Sequence, residues 1–198
     1  GEAVSLLGDQ VAIHTDPMHT RARIDSIDDQ KVRAELNAGK VVIITGGPGT
    51  GKTTILRGVL HLWSGRGAKI RLAAPTGRAA KRLSESTGRH ALTLHRLLEY
   101  SVESGGFQRC GTRPLKVDLM VVDESSMIDT ELMAALLEAL PPECHLLMVG
   151  DVDQLPAVGP GFVLHDLIES GLFQTICLDE IFRQKDSSLI TTNARKIN

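Results

Sequence analysis

One segment constrains this chain more than any other: Gly46-Gly47-Pro48-Gly49-Thr50-Gly51-Lys52-Thr53, which follows the apolar run 41–45 and opens a helical pattern. Its Gly46-x4-Gly51-Lys52-Thr53 spacing is that of a phosphate-binding loop between a strand and a helix. Glycines let successive backbone N–H groups turn inward around an anion. The N-terminus of the following helix adds its partial positive charge. Lys52 has the reach for β- and γ-phosphates, and Thr53 can offer its hydroxyl to Mg²⁺. The expected nucleotide cradle is Gly47, Pro48, Gly49, Thr50, Gly51, Lys52, Thr53 and Thr54. Such a loop works only at the exposed end of a sheet strand, which points to an α/β fold.

The rest of the chain follows the same alternation. Runs 41–45, 70–74, 117–122, 145–149 and 175–178 are rich in Val, Ile, Leu and Met without clean alternation. Continuous apolar runs of that length suit a parallel sheet covered by helices on both faces. Helical patterns are read over 53–63, 78–87, 93–100, 129–140 and 162–170, with Asp129 as an N-cap, Pro141-Pro142 as a stop and Gly171 as a C-terminal signal. Residues 1–29 are polar and irregular and read as a linker or the tail of a preceding domain, with the domain proper over 30–198. Residues 101–116 contain glycines and read as a surface loop.

Composition excludes several alternatives. With 198 residues, 42% hydrophobic, 23% charged and a net charge of −2, the chain supports one sizeable domain rather than a disordered tail. No apolar run approaches the roughly 18 residues of a membrane span, so no membrane partner is expected. Residues 1–10 lack a basic start followed by an apolar stretch. Cys110, Cys144 and Cys177 are widely spaced without a CxxC pair, which disfavours a zinc site or disulfides and suits a reduced, cytoplasmic compartment. Cys144 and Cys177 lie in apolar stretches and read as buried hydrophobes.

Each expected strand ends in a polar, turn-forming segment: 46–53, 75–78, 123–126, 150–156 and 179–184. Ligands of open α/β sheets bind outside the carboxyl ends of the strands, so these segments mark a working edge. Asp123 ends an apolar strand and reads as the second metal-binding group beside Thr53; Mg²⁺ needs few protein oxygens. Glu124 follows in what reads as an extended segment, so it faces away from Asp123 and can position or deprotonate an attacking water. Between residues 65 and 96, eight basic residues (Arg66, Lys69, Arg71, Arg78, Lys81, Arg82, Arg89 and Arg96) face one acid, Glu85, leaving 14 basic and 23 acidic residues elsewhere. A local basic stripe can hold nucleic-acid phosphates on a mildly acidic protein. A solvated helix face is the competing explanation.

GGPGTGKTT (46–54), AAPTGRAAKRL (73–83), ALTLHRLL (91–98), VVDESSMID (121–129), VGDVDQLPAVGPG (149–161) and LDEIFRQ (178–184) occur in one order. Together they resemble the first motor domain of superfamily 1 DNA helicases, most closely the RecD/TraA group that includes the alpha subunit of exodeoxyribonuclease V. The resemblance implies a RecA-like P-loop NTPase domain binding ATP and Mg²⁺, with Lys52, Asp123, Glu124, Gln154 and Arg183 in the catalytic set. Gln154 looks like the residue sensing the γ-phosphate, Arg183 like an arginine on that phosphate, and Gln30 like the glutamine reading adenine. Thr76, Gly77, Arg78, Thr93 and His95 resemble the segments gripping the backbone of single-stranded DNA. With six aromatics in the chain, among them Tyr100 and Phe107 near the basic stretch, base stacking is expected to be minor.

The family couples such a domain to a second RecA-like domain of the same parent chain, and some members to further subunits of a helicase–nuclease complex. Translocation is 5′ to 3′ in the family. No second motor domain is expected within residues 1–198, so the chain alone should bind nucleotide yet hydrolyse it weakly. A nucleotide-gated DNA-binding or assembly module without unwinding activity remains the alternative, as does another kind of P-loop ATPase.

Overall fold

The computed structural model describes residues 20–21, 41–103 and 105–178. In chain order its elements are β1 (Thr20–Arg21), β2 (Val41–Gly46), α1 (Lys52–Ser64), β3 (Ile70–Ala74), α2 (Gly77–Thr87), β4 (Ala91–Thr93), α3 (Leu94–Leu97), β5 (Tyr100–Ser101), β6 (Gly106–Phe107), β7 (Leu119–Val122), α4 (Thr130–Ala139), β8 (His145–Gly150), α5 (Val163–Glu169) and β9 (Gln174–Leu178). A 3-10 turn, Ser125–Met127, joins β7 to α4.

Seven strands form one sheet in the order β1-β9-β2-β8-β7-β3-β4, and every pairing in it is parallel. Parallel pairing puts all carboxyl ends on one edge. β2 sits between β8 and β9, with Thr45 level with Gly150 and Gly46 level with Leu178. The strands lack sequence alternation because both faces are buried. Ile43, Met120, Val122, Leu146 and Met148 pack on one face with Leu94, Leu97, Leu132, Leu136, Leu164 and Ile168, from α3, α4 and α5. Val42, Ile44, Leu119, Val121, Leu147 and Val149 pack on the other with Ile55, Leu56, Val59, Trp63 and Leu83, from α1 and α2.

The helix stops follow local chemistry. The Asp129 side chain caps α4 by accepting from Leu132 N–H at 2.8 Å. Leu140, forced out of the helical region by the proline behind it, is extended at φ −81, ψ 135. Gly171 takes the left-handed conformation (φ 64) just past α5.

Three details differ from expectation. The helix read over 93–100 is shorter: residues 91–93 extend the sheet beside β3, and α3 covers only Leu94–Leu97. The loop read over 101–116 contains all but Tyr100 of the strands of a small antiparallel hairpin, in which Tyr100 pairs with Phe107. Cys144 is buried as expected, whereas Cys177 is half-buried. Within the segment read as a lead-in, Thr20 and Arg21 pair with Ile176 and Cys177. Among the described residues no helix is long and apolar enough to cross a membrane.

Candidate functional site

The glycine-rich loop leaves β2 at the carboxyl edge and turns into α1. Gly49 and Gly51 have φ of 82° and 91°, a region glycine enters without steric cost. Thr50 is buried, and its hydroxyl donates to Gly47 C=O at 2.9 Å, which braces the loop from within. Lys52, the first residue of α1, folds back over the loop. Its Nζ donates to the carbonyls of Gly46 and Gly47. Thr53 and Thr54 stand exposed in the first turn, and no side chain caps that turn.

Strand order brings the carboxylates to this lysine. β8 lies beside β2, and β7 beside β8, so Asp151 and Asp123 leave the sheet next to the loop. Burial lowers the pKa of Lys52 from its ordinary range, while Asp151, Asp123 and Glu124 oppose that shift as nearby negative charges. The Asp123 carboxyl is pushed up to about 6 by burial, and the Glu124 N–H and Lys52 pull the other way. Asp123 N–H donates to Ala73 C=O at 3.0 Å, tying the end of β7 to β3. Glu124 is not extended: it sits in the left-handed region at φ 54, ψ 41 and begins the 3-10 turn. A sharp turn after Asp123, rather than strand alternation, therefore separates the two carboxylates.

Asp151 is the residue that the sequence reading passed over. It is 2% exposed, and its Oδ1 and Oδ2 accept from Asp153 N–H and Gln154 Nε2, each at 3.1 Å. Gln154 N–H also donates to Asp151 C=O at 3.2 Å. Asp151 thus holds Gln154 while facing Lys52. The signal that would have found it is strand adjacency: Thr45 is level with Gly150, which sequence order alone does not reveal.

The other singled-out residues lie further along the same edge. Thr76 caps α2, its Oγ1 accepting from Ala79 N–H at 3.2 Å, and Gly77 and Arg78 are exposed in the first turn. Thr93 caps α3 by accepting from Arg96 N–H at 3.2 Å, and His95 is exposed. Since Ala74 is level with Thr93, these two segments emerge side by side. The His95 ring lies 5.7 Å from Tyr100 and 5.6 Å from Phe107. Gln30 and Arg183, and the boundary expected at 29/30, lie outside the described residues.

A parallel sheet with a glycine-rich loop opening α1, a lysine over that loop and carboxylates on the neighbouring strands is the RecA-like P-loop fold. The AAA domain family matches residues 29–160, and the chain belongs to it. It is 44% identical over 159 residues to an ATP-dependent RecD2 DNA helicase of Deinococcus radiodurans, an alignment spanning 80% of this chain and 22% of that protein. It is 41% identical over 167 residues to the RecBCD enzyme subunit RecD of Mycolicibacterium smegmatis, covering 72% of this chain and 30% of that one. The fold superposes on a Pif1 helicase from Candida albicans with a TM-score of 0.65 at 27% identity, covering 86% of this chain and 43% of that one. The chain thus spans less than a third of the length of these two sequence relatives.

Proposed function

We propose that this chain is the ATP-driven first motor domain of a DNA helicase. The observation that carries the reading is the convergence at one sheet edge of Lys52 with Asp123, Glu124 and Asp151, the last holding Gln154. ATP binds with its phosphates in the loop 46–53, under Lys52 and the first turn of α1. Thr53 and Asp123 hold Mg²⁺. The site fits that ion: a half-buried carboxylate with a raised pKa gains from a cation beside it, and Thr53 is exposed in the first turn. When bound, Mg²⁺ neutralises charge on the phosphates.

Glu124 is the base that takes a proton from the attacking water, and Gln154 senses the γ-phosphate. Gln30 reads adenine and Arg183 contacts the γ-phosphate. Thr76, Gly77, Arg78, Thr93 and His95 grip the single-stranded DNA backbone, with N–H groups at the start of α2 supplying donors. A second RecA-like domain of the parent chain completes the cleft, translocation runs 5′ to 3′, and a helicase–nuclease assembly is the partner setting in which recombination or repair takes place. The names of the RecD2 and RecD relatives support the helicase reading.

Lys52→Ala in the full-length parent tests the reading. Expected is a loss of DNA-stimulated ATP hydrolysis on the order of a hundredfold or more, from removal of a cation at the transferring phosphate, with single-stranded DNA affinity retained. Unwinding at the wild-type rate, with loss of complex assembly instead, would overturn the motor in favour of an assembly module.

A further inference from the structure

The loop carrying Gln154 is fastened at both ends. Its near end hangs on Asp151. Its far end, residues 159–161, lies directly on the start of α4. Thr130 N–H, the first of that helix, donates to Pro160 C=O at 2.9 Å. First-turn amides have no partner inside their own helix, so this bond comes wholly from the loop.

Gly159 and Gly161 flank that carbonyl, and both are shaped by the contact. A Cβ on Gly159 would collide with the Asp129 carboxylate, 2.7 Å from its Cγ and 2.8 Å from its Cβ. A Cβ on Gly161 would strike Thr130 Oγ1, and its φ of 96° already favours glycine. Between the two fastenings, Leu155 and Val158 stand 86% and 107% exposed, so packing does little to hold the middle of the loop. Asp129 and Thr130 end the segment that begins with Asp123 and Glu124, joined by the 3-10 turn.

We propose that Asp129 and Thr130 are positioning residues for Gln154. With Gly159 and Gly161 they form a clasp that binds the Gln154 loop to the carboxylate segment, so that the two respond to nucleotide as one body. The role rests on the reading of Gln154 as the γ-phosphate sensor. The clasp itself rests on geometry alone.

The test uses the full-length chain and compares ATP with ADP affinity, alongside hydrogen exchange at the Thr130 amide. In Gly159→Ala the Thr130 amide is expected to exchange roughly tenfold faster or more, because its bond opens locally. The preference for ATP over ADP falls roughly fivefold or more, as it does in Gln154→Ala, while ADP affinity stays at the wild-type level. The Gly159→Ala, Gln154→Ala double variant loses no more preference than either single variant, since both changes act on one device. Asp129→Asn keeps the cap and the shape, and behaves as wild type. Gly161→Ala, whose Cβ would strike Thr130 Oγ1, pushes the same loop off the helix start and carries the test should Gly159→Ala not fold.

A double variant whose losses multiply overturns the proposal. So does an equal fall in ADP affinity, or a fast-exchanging Thr130 with an unchanged ATP preference. If Gln154→Ala itself leaves the preference unchanged while Gly159→Ala alters only Thr130 exchange, the sensor reading is what fails and the positioning role falls with it.

Discussion

Asp123 concentrates the cost of this site in one residue. A carboxyl whose folded pKa is raised from the ordinary 3.8 to about 6 takes up a proton more readily folded than unfolded. Between these values the folded state binds more protons, so stability falls as pH rises through the interval and is level above it. The raised pKa corresponds to about 3 kcal/mol at most, since each unit is worth about 1.4 kcal/mol. Asp123→Asn removes the ionising group and keeps the shape. In thermal melts without metal or nucleotide, the variant is expected to lose the decline between roughly pH 4 and 6 and to melt above the wild type near pH 8. A variant that melts several degrees below the wild type near pH 8 would show that the carboxylate stabilises the fold instead. If Asp123 holds Mg²⁺ as proposed, hydrolysis is lost in the variant either way.

At the scale of elements, legibility followed burial. Strands β2, β3, β7, β8 and β9 could be read because both faces are covered, leaving runs such as Leu119-Met120-Val121-Val122 with no polar interruption. β4 was hidden because it is three residues long and Thr93 is both its last residue and the cap of α3, so the helical spacing of Leu94, Leu97 and Leu98 spilled backwards. The β5–β6 hairpin was hidden because its strands are two residues each and Gly105-Gly106 reads as loop. Backbone bonds from Gln108 and Arg109 N–H to Leu98 C=O, at 3.1 and 3.2 Å, close so short a hairpin, and side chains reinforce it. Glu99, at φ 54, accepts from Arg109 Nε at 2.9 Å and pairs with Arg113 at 3.0 Å. Phe107 meets Tyr100 with ring centroids 5.1 Å apart and packs against the core cluster of Leu94 and Leu97. Phe107→Ala is therefore expected to open the hairpin locally. Amides of β5 and β6 should exchange much faster, while the melting temperature falls by only about 2–4 °C, the shift expected for a loss near 1 kcal/mol in a chain of this size. Equal acceleration in β2 and β8 would mean that the hairpin is part of the cooperative core.

The basic run 65–96 looks like one stripe in the sequence, and the fold of the whole molecule divides it. β3 begins at Ile70 and points its carboxyl end at the working edge, so Arg66, Lys69 and Arg71 belong to the opposite end of the sheet. Arg89 follows the end of α2 and donates to Ser64 Oγ at the last residue of α1, again away from that edge. Lys81 and Arg82 are exposed further along α2, Lys81 pairing with Glu85 at 3.9 Å, which leaves Arg78 and Arg96 beside the caps Thr76 and Thr93. Net charge and local excess therefore overstate how many cations a nucleic acid on the working edge can meet. Only those at the edge should release counterions on binding, so Arg78→Ala should weaken single-stranded DNA binding uniformly across sequences and reduce the salt slope by about 0.7. Arg89→Ala, a change of equal charge at the far end, should leave both unchanged. Titrations over a series of salt concentrations decide it. If the two variants lose the same slope, the DNA runs over the face of α2 rather than along the carboxyl edge, and the placement of Thr76 and Thr93 against the backbone is wrong.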